Sequence, residues 1–127
     1  MEIHEIVTSL EVSKKLKEIG INQNSLFYYL VEQDGFVELG QMSFGRVNGK
    51  QYYSAYTAEE LGSFLSTISF ILEDCGDERF HLSFWMGKDD HASVLTGNKL
   101  CDLFGEVIIL LINEKFITAE EVNERMK

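Results

Sequence analysis

The chain has 127 residues, 45% of them hydrophobic and 12% aromatic, with 21 acidic side chains against 11 basic ones and a net charge of −10. Length and hydrophobicity predict one folded domain over residues 1–127, with a core that needs no disulfide or structural metal, and they exclude a disordered chain. The acidity repels DNA and RNA over most of the surface, so nucleic acid is not an expected partner.

The opening Met1-Glu2-Ile3-His4-Glu5 has no basic start followed by an apolar run, so no secretory signal is expected. The longest apolar run, Val107 to Ile112, is six residues, too short to span a membrane. A cytoplasmic location follows as the expectation, with Cys75 and Cys101 as reduced thiols. A disulfide between them is the alternative.

A helix-entry signal occurs three times, at Thr8, Thr57 and Thr118, each with a Glu three residues later and flanking apolar residues. Thr accepts from the first turn, Glu reaches back to the Thr amide, and the apolar pair clasps. The first helix is expected from about Ser9 to Ile19, with Val12, Leu16 and Ile19 on one face. Glu11 and Lys15 are spaced for a surface pair. Gly20 provides a left-handed stop, and Ile21 folds back on Leu16.

A β-rich block follows. Ser25 to Glu32 and Phe36 to Phe44 read as strands separated by an Asp34-Gly35 turn. Asn48-Gly49 is a hairpin signal leading into a third strand, Lys50 to Ala55. Together they predict an antiparallel meander. A second helix runs from Ala58 to about Leu65. Thr67 to Glu73 either prolongs it or forms a strand, and its β-branched residues favour the strand. Asp74 to Glu78 is an acidic turn. Arg79 to Met86 alternates Phe80, Leu82, Phe84 and Met86 with Arg79, His81, Ser83 and Trp85, as a half-buried strand does. Gly87 to Gly97 reads as a loop. Asn98 is placed to cap a third helix, Lys99 to about Asn113, whose apolar run Val107 to Ile112 belongs in the centre of the core. A short helix from Ala119 to about Met126 closes the chain. The fold expected is α+β: an antiparallel β-meander sheet of three to five strands with helices packed on one face.

The chemistry-bearing residues form no known motif. His4, His81 and His91 lack paired metal spacing. Asp89-Asp90-His91 is the best metal candidate, but adjacent residues rarely converge on one ion, and a solvated loop tip is the preferred reading. Glu73, Asp74, Asp77 and Glu78 crowd one turn around Cys75 without the alternation of a calcium loop. Cys75 has no basic neighbour except Arg79, which argues against a nucleophile. Cys101 reads as core. Gly45 to Lys50 lacks the phosphate-loop spacing. No catalytic residue, metal ligand or cofactor is assigned.

Aromatic residues are denser. Phe27, Tyr28, Tyr29, Phe36, Phe44, Tyr52, Tyr53 and Tyr56 lie within thirty residues. A sheet covered on one face leaves some of these rings exposed, either as ordinary cross-strand pairs or as a Tyr-rich binding face. Tyr29, Tyr53 and Trp85 are the candidate exposed contact residues, because each alternates with neighbours assigned to the core, subject to sheet register.

Ser9 to Gly20, Ser25-Leu26-Phe27-Tyr28-Tyr29, Tyr53 to Gly62 and Leu110 to Lys115 together carry a resemblance. They are similar to a group of small uncharacterised proteins encoded by bacteriophages and prophages. The usual pattern there is a Lys-Lys-Leu-Lys-Glu-Leu-Gly helix, a Phe-Tyr-Trp strand, a Tyr-Ser-Ala-Phe/Tyr-Thr helix entry and a late apolar helix. Tyr29 replaces the usual Trp, Ser66 a common Pro, and residues 66–97 have no counterpart. The resemblance implies a phage-derived origin and a cytoplasmic site of action, with no assigned catalytic residues. The expected function is a non-enzymatic acidic protein-binding module, in one form an inhibitor of a basic host protein. A small enzyme or metal-dependent accessory factor is the competing class, and a self-assembling structural protein a third.

Overall fold

The structure is a computed structural model that describes residues 2–41, 51–85 and 92–126. Its elements run α1 (Ile3–Ile6), α2 (Leu10–Glu18), β1 (Phe27–Val31), β2 (Val37–Gln41), β3 (Gln51–Ala55), α3 (Ala58–Leu65), β4 (Phe70–Asp74), β5 (Phe80–Trp85), β6 (Ala92–Gly97), α4 (Leu100–Asn113) and α5 (Ala119–Arg125). The class is α+β with antiparallel pairing throughout, divided between two three-stranded sheets, β2-β1-β3 and β4-β5-β6.

The second sheet is a meander, but the first has a different connectivity. Both β2 and β3 pair with β1, so that Tyr29 lies opposite Leu39 on one side and Tyr53 on the other. β2 and β3 therefore run parallel to each other with β1 between them. The reason is burial. β1 reads Phe-Tyr-Tyr-Leu-Val, and its Tyr28, Tyr29 and Leu30 are all buried although they alternate between faces. The central place is the one that covers both faces of such a strand. Asn48-Gly49 and Phe44, like Asp89-Asp90-His91, lie outside the described residues.

Local signals hold at most helix ends. Thr57 caps α3 in a full capping box with Glu60, and Thr118 caps α5 by accepting from the Glu121 amide. Thr8 does not cap α2; Ser9 does, accepting from the Val12 amide. Gly20 (φ +98°) ends α2, and the Ile21 amide donates to Leu16 O at 3.0 Å, the expected Schellman closure. The Glu11–Lys15 pair forms at 3.7 Å on the open surface, where such pairs contribute little. Asn98 does not cap α4, whose N-cap position is Lys99 without a side-chain bond. The stretch read as a loop from Gly87 to Gly97 contains β6, because Leu95 completes the apolar row opposite Leu82 of β5. In Thr67 to Glu73 the strand wins, as β4, and Phe70 lies opposite Phe84.

The main core joins Val12 and Leu16 of α2, Leu61, Phe64 and Leu65 of α3, Phe104, Val107, Ile108 and Leu111 of α4, Val122 of α5, and Leu82 and Phe84 of β5. A smaller cluster of Val7, Tyr29 and Ala55 lies under the first sheet. The run from Val107 to Ile112 is central only along a stripe. Val107, Ile108 and Leu111 are buried, while Ile109, Leu110 and Ile112 are half-buried. At Gly105 the helices α2 and α4 meet closely, since a Cβ there would stand 2.7 Å from Val12 Cγ1. Helices cover the inner face of the second sheet. On its outer face Ile71 and Val94 stay more than half exposed.

Candidate functional site

The tyrosines of the aromatic block serve the structure, whereas Phe36 is 60% exposed. Tyr29 was expected to be exposed, but it is only 7% exposed and its hydroxyl donates to Thr8 O at 2.8 Å. Because β1 is central, either register buries this ring. Tyr28 donates to Gln23 O and Tyr56 to Asn22 O. Tyr53 is half-buried on β3, its ring 5.0 Å from the Lys17 ammonium and 5.7 Å from that of Lys14. Lys17 also donates to Tyr52 O at 2.6 Å and sits 4.2 Å from the Tyr52 ring. Trp85 is half-buried at the end of β5, in the other sheet. Tyr29 and Tyr53 are thus cross-strand neighbours, Trp85 is remote in topology, and the three build no common face.

The acidic turn is a solvated hairpin end. Cys75 N donates to Arg79 O at 2.9 Å, Asp74 Oδ1 accepts from the Gly76 amide at 3.0 Å, and Glu73 to Glu78 are exposed. Among the described residues, no group of three or more His, Cys, Asp or Glu side chains is arranged to hold a metal ion. No described helix is long and apolar enough to cross a membrane.

The feature that the chain does assemble is an open groove of about 860 Å³ where several helix ends converge. The entry of α3 supplies Thr57, Ala58, Glu59, Glu60 and Ser63. The start of α4 supplies Leu100 and Cys101, and α1 supplies Glu5 and Ile6. Asn22, Asn24 and Leu26 come from the segment before β1, and Asn123 and Met126 from the C-terminal end. Hydrogen bonds fix these walls. Glu60 Oε1 accepts from the Thr57 amide at 2.9 Å, and Oε2 from the Leu26 amide at 3.2 Å. Asn123 Oδ1 accepts from the Asn22 amide at 2.8 Å, and its Nδ2 donates to Gly20 O at 3.0 Å. Among the described residues the lining holds three carboxylates and no Lys, Arg or His. No spacing in the sequence announces this site, because its residues come from five separate segments. Of its parts the Thr57–Glu60 cap is legible in the sequence, as a helix start.

Burial controls the thiol and phenol nearby. It pushes the Cys101 thiol from its ordinary 9.0 up to about 11, so the thiol stays protonated at neutral pH. Tyr29 rises from 10.0 to about 12, by burial first and then by the negative charge of Asp102. In both cases the folded state holds the proton more tightly than the unfolded chain does. The stability linked to these groups is therefore intact below the unfolded pKa values and is lost as pH climbs through the folded ones. Urea midpoints measured from neutral pH to about 12 should fall from about pH 9 upward. The fall should be shallower in a Cys101→Ala/Tyr29→Phe double variant. Identical slopes in the two proteins would show that neither group is linked to folding.

No protein-family model matches the chain, and no curated protein or solved structure matches it either.

Proposed function

We propose that this is a non-enzymatic, acidic protein-binding module that engages a basic partner. The observation that carries the reading is the charge: 21 acidic against 11 basic side chains, net −10. Such a surface draws a basic protein in through long-range attraction and disfavours nucleic acid. The acidic lining of the groove supports the same reading, whereas the burial of Tyr29 removes the aromatic sheet face from it. From the resemblance over α2, β1, the α3 entry and late α4, the protein is of phage or prophage origin and acts in the cytoplasm of a bacterial host. Inhibition of a basic host protein is its concrete form.

Two measurements test this. Immobilised protein incubated with bacterial lysate should retain a basic protein at low salt and release it as salt rises. Titration into labelled single- and double-stranded DNA at low salt should show no binding. Micromolar DNA binding that weakens steeply with salt would replace this reading with a nucleic-acid role.

A further inference from the structure

We infer that the groove at the α3 entry is the docking site for a peptide segment of the partner that carries Lys or Arg beside apolar anchor side chains. This rests on the protein-binding reading and names the surface that performs it. Three observations converge on one place. The groove is within the size range of ligand clefts, about 300–1,000 Å³. Its apolar contacts are open to solvent: Leu26 is 56% exposed and Ile6 37% exposed, and Met126, also in the lining, is half-buried. Among the described residues its charges are all of one sign, from Glu5, Glu59 and Glu60.

Each charge has a defined state. Glu60 is held by the Thr57 and Leu26 amides. Glu5 accepts from the Glu2 amide at 3.1 Å. Glu59 makes no hydrogen bond or ion pair among the described residues and is exposed. A cation in the groove therefore finds one unengaged carboxylate and two that are positioned in advance. An anion is disfavoured, because the carboxylates of Glu5, Glu59 and Glu60 repel it and the Thr57 and Glu60 amides are already taken by the α3 capping box. Apolar anchors in the cleft supply affinity, and the carboxylates reject acidic or neutral segments. Asn24, exposed at the rim, offers an amide donor and acceptor to a peptide backbone.

The test uses the full chain and a fluorescein-labelled peptide that alternates leucines with pairs of lysines. Two companion peptides replace either all leucines or all lysines with serine. Anisotropy should show the amphipathic cationic peptide binding at least tenfold more tightly than either companion. Amide shift changes in NMR spectra should concentrate at Leu26, Ala58, Glu59, Ser63 and Leu100. Glu59→Lys and Leu26→Ser, both at exposed positions, should each weaken binding about tenfold. Glu73→Lys, the same charge change on β4 outside the groove, should shift it by less than threefold. Binding whose shifts centre on the 74–79 turn or on the outer face of the second sheet, with Glu59→Lys no worse than Glu73→Lys, overturns the groove assignment and leaves the acidic-module reading intact. Failure of every cationic peptide to bind at low salt overturns both.

Discussion

Leu111→Ala should lower the free energy of unfolding by about 2–5 kcal/mol, measured by urea titration. Leu111 is 4% exposed and lies in the main core with Val107 and Ile108 of the same α4 stripe. Truncation removes buried methyl groups and leaves a cavity that the surrounding helices fill only in part. Relaxation is hindered because Gly105 already brings α4 against Val12 of α2 with no space to spare. The neighbouring substitution Leu110→Ala is the internal comparison. Leu110 is only half-buried, so it loses less transfer energy and leaves no closed cavity. Equal losses at the two positions would place both side chains at the same depth and contradict the packing of α4. A change below about 0.5 kcal/mol at Leu111 would place it at the surface.

Thr8→Val should cost on the order of 2–4 kcal/mol, although it barely changes side-chain volume, because two buried polar groups lose a partner. Thr8 is fully buried. Its Oγ1 accepts from the Tyr56 amide at 3.1 Å and bonds the Ser13 hydroxyl at 2.7 Å. Valine strands both groups in the core, where neither Ser13 nor Tyr56 reaches water. Ser9→Ala, by contrast, removes only the cap of α2 and should cost about 0.5–2 kcal/mol. Thermal unfolding of the two variants separates the roles. If Ser9→Ala were the more damaging, Thr8 would be acting merely as a neighbour of the cap.

The three threonines show how far local reading reaches. Thr57 and Thr118 sit where a capping signal says they should, because a cap needs only a side chain and the amide three residues on. Thr8 carries the same signal, but the chain bends one residue later. Val7 pairs with Thr57 in an isolated bridge, and the Thr8 amide donates to Tyr56 O at 2.8 Å. The cap then passes to Ser9, whose own amide is held by Asp102 of α4 at 2.7 Å. These partners lie tens of residues away, so no local pattern reports them.

The sequence by itself determined features set by short-range periodicity: the helix starts at Thr57 and Thr118, the Gly20 closure, the Glu11–Lys15 pair and the half-buried alternation of β5. These depend on spacing within one or two turns of chain. Only the tertiary structure decided which strand is central. β1 and β3 carry similar aromatic residues, and the choice turns on which strand can bury both faces at once. That choice placed Tyr29 inside and removed it from any binding face. The tertiary structure also decided the groove. Glu5, Leu26, Glu59, Leu100 and Asn123 acquire a common meaning only when separate helix ends meet. Hydrophobic burial drives that convergence, and it is non-directional and long-range along the chain.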